Sequence, residues 1–266
     1  MISSAFVTSI RNLPTIAETG MQMFFFGILA ALVFFIPAAL ISAELATGWP
    51  KMGGIAVWIE EAFGDKWGFI GIWFQWTYMI ISVIAMLYFI SGSLAFVFTP
   101  HLSDNKIYLI VMSLVLIWAF TFLNLKGLHL SSLISTIGFL AGVLFPAILI
   151  IAMGLIYIFQ GNPLQLDISL TKNNLLPDFK NLSTLVLIVG FMRAFAGIEA
   201  SAVHANSVKN PQRNYPLSIL IVVIIGLAVN ILGSLSVAIV IPQSEISLVS
   251  GIMEAFRFFF KTFNLE

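Results

Sequence analysis

The sequence contains no cysteine and few charged residues. The absence of cysteine excludes disulfide bonds, thiolate metal sites and cysteine nucleophiles. Charged residues make up 9% of the chain and hydrophobic residues 60%, whereas a soluble domain carries about 25% charged residues. Twelve basic and twelve acidic residues cancel, so the composition gives no sign of a nucleic-acid-binding surface. It therefore predicts a protein whose main solvent is lipid.

The motifs of nucleotide-binding and hydrolytic enzymes are also missing. No GxGxxG, P-loop, HExxH or GxSxG pattern occurs in the chain. The three histidines, His101, His129 and His204, fall in or near predicted loops and lack the spacing of metal ligands. No nucleophile can be paired with a base, so we predict no catalytic residues, no metal site and no cofactor.

Six long apolar segments reach the length of a membrane-spanning helix, which is about 20 residues. They cover residues 21–46, 67–98, 107–125, 130–159, 182–205 and 217–241. A shorter apolar stretch before Pro14 predicts a seventh span that is partial or broken. Pro37 lies inside the first long segment and predicts a kink there. The pattern therefore predicts an all-α integral membrane protein with about seven transmembrane helices.

The connections between the spans are mostly short and polar. Residues 47–68, TGWPKMGGIAVWIEEAFGDKWG, have turn residues at both ends and an amphipathic middle, so we predict a helix on the membrane surface. Five basic residues fall in one set of loops and three in the other. This modest bias places the loops at 48–54 and 208–216 in the cytoplasm.

Ionisable side chains at membrane depth are the strongest functional signal in the chain. An arginine at the centre of a membrane helix costs roughly 2.5–3.5 kcal/mol on insertion scales, and Arg193 lies near the middle of its predicted span. Arg11 lies in the broken first span. Glu44 and Glu199 lie near span ends, where they either serve a site or simply reach the interface or cap a neighbouring helix.

Arg193 and Glu199 also indicate an interruption in the helix that carries them. They are six residues apart, and on a regular helix that spacing points them to different faces. Gly197 and the surrounding alanines permit a break between them, although small residues also suit close helix packing. An arginine together with small residues favours an interrupted, cavity-lining helix of the kind that transporters use at the midplane.

A resemblance to the amino acid–polyamine–organocation transporters is clearest from residue 191 onwards. Their sixth span carries a G-[IV]-E motif and is followed by an N-P-x-R-x-[YV]-P loop, and both patterns are present in FMRAFAGIEASAVHANSVKNPQRNYPLSIL. The end of their second span is similar to AELATGWPKMGGIAVWIEEAFGDKWGF, and their discontinuous first span to RNLPTIAETG. The bacterial glutamate/γ-aminobutyrate antiporter group is the most similar, through GIEASAVHANSVKNPQRNYPL and AIVIPQSEISLVSGIMEAF.

This resemblance implies a transporter fold of twelve spans, of which the first ten form two inverted repeats of five. Spans one and six are discontinuous at the midplane, and the amino acid binds the backbone freed there. Residues 1–160 would form the first repeat and residues 182–241 the start of the second, within one incomplete domain over 1–266. Spans eight to twelve would be absent. The missing C-terminal half is therefore an implied partner, and we expect the isolated chain to transport poorly or not at all.

The resemblance also implies a set of substrate-binding residues at the two breaks. They are Thr8, Ser9, Arg11, Asn12, Arg193, Phe195, Ala196, Gly197 and Glu199. The G-S-G of many family members is replaced in the first span by VTSIRN, which keeps two hydroxyl groups, and Arg193 also departs from the antiporter pattern. A buried arginine needs a partner. For Arg193 that partner would be a substrate carboxylate, a residue of another helix, or Glu199 across the break.

The predicted function is therefore secondary active transport or exchange of amino acids resembling glutamate and γ-aminobutyrate. The protein would be a multi-pass protein of the cell inner (plasma) membrane, with the lipid bilayer and a small amino acid as partners and no nucleic acid. The alternative is a non-transporting membrane fragment or subunit that packs against other membrane proteins. Labelled amino-acid uptake separates these two possibilities.

Overall fold

The computed structural model describes residues 2–49, 51, 53–103, 105–125, 128–208, 210–247 and 250–264. Over these residues the chain is helical and forms no strand. Six helices are long and apolar enough to cross a membrane, namely Gln22–Gly48, Asp65–Phe98, Lys106–Leu125, Leu133–Phe159, Thr184–Val203 and Pro211–Ala238. They confirm the predicted all-α membrane fold and its six long spans.

The first span is interrupted, as predicted. Helix α1 (Ile2–Val7) ends before Thr8 and Ser9, a 3₁₀ turn follows over Ile10–Asn12, and α2 (Leu13–Ala17) completes the segment. We call α1 through α2 span 1, and its irregular residues 8–9 the first break. Neither piece alone is long enough to cross a bilayer.

The next span contains a widened turn where the sequence predicted a kink. Helices α3 (Gln22–Ala30) and α4 (Ile36–Gly48) are joined by a π segment over Ala31–Phe35. Pro37 lies directly after it. A proline inside a helix lacks an N–H and presses on the carbonyl four residues earlier, and a π turn is one way to accommodate both effects.

A short helix then precedes the two most peripheral spans. Helix α5 (Ile55–Phe63) has no buried residue, in agreement with the predicted surface helix. It is followed by α6 (Asp65–Phe98) and α7 (Lys106–Leu125). Only 6% of the most apolar window of α7 is buried by the described residues, so its apolar side chains are left to face lipid.

The remaining helices complete the chain in a regular order. They are α8 (Leu128–Phe139), a π segment (Leu140–Leu144), α9 (Phe145–Phe159), α10 (Lys172–Leu175), α11 (Leu182–Ala194), a 3₁₀ segment (Ile198–Ser207), α12 (Pro211–Ala238) and α13 (Gly251–Thr262). The start predicted for the last long span, Leu217, is wrong because Pro216 does not begin that helix. Pro216 lies inside α12, where it removes one helical hydrogen bond without ending the helix.

Helix α12 is the centre of the packed structure. It contacts α1, α2, α4 and α9, and 44% of its most apolar window is buried. Glycines bring it close to span 1: a Cβ on Gly226 would lie 2.4 Å from a methyl of Val7, and one on Gly233 would lie 2.9 Å from a methyl of Leu13. This close approach fixes both halves of span 1 against one face of α12.

Candidate functional site at the two helix breaks

The first break changes the backbone hydrogen bonding of span 1. Ser9 adopts an extended conformation, with φ −66° and ψ 116°, and its carbonyl accepts a hydrogen bond of 3.0 Å from the N–H of Asn12. Thr8 is fully buried, and its hydroxyl donates to the carbonyl of Ser4 within α1. Ser9 and Asn12 are half-buried. The Thr8 proton is therefore already used, whereas the Ser9 and Asn12 side chains remain accessible at the break.

Asn230 of α12 supports the first break from behind. Its Nδ2 atom donates to the carbonyls of Val7 and Gly226, both at 2.8 Å. In a continuous helix the Val7 carbonyl would accept from Arg11, four residues on, so Asn230 replaces a bond that the break removes. The sequence argument missed this residue. A buried asparagine in the middle of an otherwise apolar span was the available signal, because polar side chains at that depth usually have a structural or functional partner.

The second break lies between α11 and the 3₁₀ segment and confirms the predicted interruption of the sixth span. Helix α11 ends at Ala194, and Gly197 has a φ of 100°. Side chains rarely adopt that backbone region, which favours glycine. The N–H of Ala196 donates to the Arg193 carbonyl at 3.2 Å, which closes a tight turn. Ala196 is half-buried beside the break.

Phe195 links the second break to the core. It is 1% exposed, and its ring stacks on that of Phe35, with centroids 4.7 Å apart and planes 8° from parallel. Phe35 is the last residue of the π segment in the neighbouring span. Phe195 thus holds the backbone of the second break in place, and its ring does not line open space in this structure.

Arg11 and Arg193 bring two positive charges into one region. The charge of Arg193 acts on that of Arg11. Arg11 is half-buried, and its Nη1 atom is buried without a hydrogen-bond partner. Arg193 is exposed at the surface of the described residues. We call these two residues the arginine pair.

No acidic side chain neutralises the arginine pair among the described residues. The ion pair found there within 4.0 Å joins Lys51 and Glu61, on the loop before α5 and on α5 itself. Glu199 is half-buried in the 3₁₀ segment and acts electrostatically on Tyr215 of α12. The alternative in which Glu199 pairs with Arg193 across the break is therefore not formed in this structure.

The most prominent cavity lies elsewhere. It has a volume of about 480 Å³ and opens at the end of span 1, between Gly20 and the loops at 165–174 and 243–246. Its polar lining consists mainly of Glu18, Gln22, Gln165, Asp167, Asn174 and Gln243. None of the nine residues predicted to bind substrate lines it. The described residues contain no cluster of three or more histidine or acidic side chains that could hold a metal ion.

Comparison with known proteins agrees with the fold. The family model for amino acid permeases matches residues 1–265. An uncharacterized transporter of Legionella pneumophila is 45% identical over 265 residues, which cover 100% of this chain and 56% of that protein. A glutamate/gamma-aminobutyrate antiporter of Lactococcus lactis is 36% identical over 99% of this chain and 52% of its own length. A probable agmatine/putrescine antiporter of the same species is 26% identical over 91% of this chain and 50% of its own length.

The chain therefore belongs to the amino acid permease family. It spans about half the length of the relatives it matches. The predicted resemblance, the multi-pass membrane location and the transporter class are confirmed by this match together with the six apolar helices. The relatives that it resembles are transporters and antiporters.

Proposed function

We propose that the two helix breaks form a binding site for amino acids that carry carboxylate groups, in a secondary transporter or antiporter. The observation that carries this proposal is the arginine pair. Two guanidinium groups lie close enough to repel each other, and one of them has a buried nitrogen without a partner. An anionic ligand would relieve the repulsion and satisfy that nitrogen at the same time.

A carboxylate suits this arrangement better than other anions of similar size. The planar guanidinium group donates two parallel hydrogen bonds to the two oxygens of a carboxylate. Two arginines that are close together provide for two such groups, so we propose that the site prefers glutamate to γ-aminobutyrate, which has one carboxylate. The preference also agrees with the printed substrates of the Lactococcus antiporter.

The remaining predicted residues would complete the site through the backbone and through small polar groups. Ser9 and Asn12 lie at the first break, and Ala196 and Gly197 at the second. We propose that N–H groups and carbonyls at these breaks bind the α-amino and α-carboxylate groups, as discontinuous helices do in other transporters. Thr8 and Phe195 would shape the two breaks, and Glu199 would attract the substrate ammonium group.

Ligand binding to the purified chain in lipid nanodiscs tests the proposal. We expect labelled glutamate to bind, unlabelled γ-aminobutyrate to compete more weakly, and putrescine, which has no carboxylate, to compete least. Competition by putrescine as strong as that by glutamate would exclude carboxylate recognition. Exchange of labelled glutamate in proteoliposomes then distinguishes a transporter from a membrane protein that binds without transporting.

A further inference from the structure

Three hydroxyl groups connect the beginning of span 1 with the 3₁₀ segment and α12. The Ser3 hydroxyl lies 2.6 Å from the carbonyl of Ile198 and 2.8 Å from the hydroxyl of Ser201. The Ser201 hydroxyl in turn lies 3.2 Å from that of Tyr215. These contacts join residues that are 195, 198 and 14 positions apart in the sequence.

The chain of hydroxyls has one direction that satisfies all three contacts. Ser3 carries a single hydroxyl hydrogen, and the short contact with the Ile198 carbonyl uses it, because a carbonyl can only accept. Ser201 then donates to Ser3, and Tyr215 donates to Ser201. The backbone N–H of Ser201 also donates to the Ser3 oxygen, at 3.3 Å. Ser3 therefore touches both the carbonyl and the N–H that the first 3₁₀ bond of the segment would join.

Burial makes these contacts costly to break without replacement. Ser3 and Tyr215 are each 2% exposed. A buried hydroxyl that loses its partner carries the desolvation cost of an unmade hydrogen bond. Separation of the two helices is therefore favourable only if water reaches the hydroxyls as they part.

Helix α1 is attached differently at its other end. There the Val7 carbonyl accepts from Asn230, and Val7 packs directly on Gly226. The first break follows immediately, so the helical hydrogen bonding of α1 does not continue into α2. α1 is thus a six-residue lever, held at its start by the three hydroxyls and hinged at residues 7–9.

We propose that Ser3, Ser201 and Tyr215 form a latch that keeps α1 against the 3₁₀ segment. Release of the latch lets α1 turn about residues 7–9 and opens the two breaks to water on the side of the membrane where α1 begins. The proposal concerns the movement of span 1 and does not depend on which ligand the breaks bind. Ser4, which is 9% exposed, becomes accessible when the latch opens.

Thiol accessibility tests the latch directly, because the chain has no cysteine of its own. A Ser4→Cys variant places a thiol of nearly the same size at a buried position of α1. In detergent, where both faces of the protein are reachable, we expect Tyr215→Phe or Ser3→Ala to speed modification of this thiol by about three- to tenfold, the effect of losing one or two ordinary hydrogen bonds. Ser3→Thr keeps the hydroxyl and should stay within about twofold of the parent.

Tyr157→Phe is the matched control for Tyr215→Phe. Tyr157 is 3% exposed and donates one hydrogen bond of 2.9 Å to the Pro163 carbonyl, away from α1. We expect it to leave the modification rate unchanged. If Tyr215→Phe behaves like Tyr157→Phe, either because both have no effect or because both loosen the protein equally, the latch does not exist. Tyr215→Phe decides the question even if Ser3→Ala does not fold.

Discussion

Replacement of Arg193 by alanine is expected to weaken glutamate binding by roughly 10- to 100-fold, the range that corresponds to one charge-assisted hydrogen-bonded pair. The reason is that the arginine pair has no acidic partner among the described residues, so the ligand would supply the negative charge. Arg193→Lys should recover only part of the affinity, since an ammonium group is a point charge without the guanidinium fork. Equilibrium binding of labelled glutamate measures both effects.

The ligand series separates carboxylate recognition from a general loss of structure. Arg193→Ala should change the affinity for putrescine much less than that for glutamate. Arg213→Ala is the matched control, because Arg213 is also exposed but lies near the start of α12. If Arg193→Ala lowers the affinity for every ligand equally, or leaves all of them unchanged, Arg193 has a structural role or none.

Replacement of Gly197 by alanine is expected to destabilise the protein by about 1–3 kcal/mol, the usual cost of forcing a side chain into such a backbone conformation. Gly197 has a φ of 100° at the second break, and relief of this strain would rebuild the turn that follows Arg193. Glutamate affinity should therefore fall together with stability. Chemical denaturation in detergent and glutamate binding measure the two changes.

Gly190→Ala provides the control for a glycine seven residues earlier. Gly190 lies within α11, and nothing lies within 4 Å of a Cβ built on it. Alanine is favoured over glycine in a helix by about 0.5–1 kcal/mol, so this variant should be neutral or slightly more stable. Equal behaviour of the two alanine variants would show that the second break tolerates a side chain and that its glycine is not required.

The broken helices could be predicted because each leaves a local signal in the sequence. Arg193, Gly197 and Glu199 conflict with a plain membrane helix within seven residues, and the resemblance extended the same expectation to span 1. The start of α12 was harder. A proline usually marks a helix end, but Pro216 is accommodated within the helix, and only the surrounding structure decides between the two.

The supports of the site could not be predicted because they depend on which spans pack together. Asn230 lies 223 positions from the Val7 carbonyl that it holds, and nothing local to either residue indicates the other. The same applies to Phe195, whose ring stacks on Phe35. The sequence indicated that the sixth span was irregular, whereas the contacts that stabilise the irregular backbone are long-range.

Substrate protection of a thiol at the second break is the most direct test that the breaks bind the substrate. Ala196 is half-buried between Arg193 and Gly197, and Ala196→Cys introduces the only thiol in the chain. Ser244→Cys, at an exposed position in the loop after α12, reports any effect of glutamate on the reagent itself. The account predicts that glutamate slows modification at position 196, not at position 244, and that Arg193→Ala removes the protection. Equal modification rates at position 196 with and without saturating glutamate would contradict it.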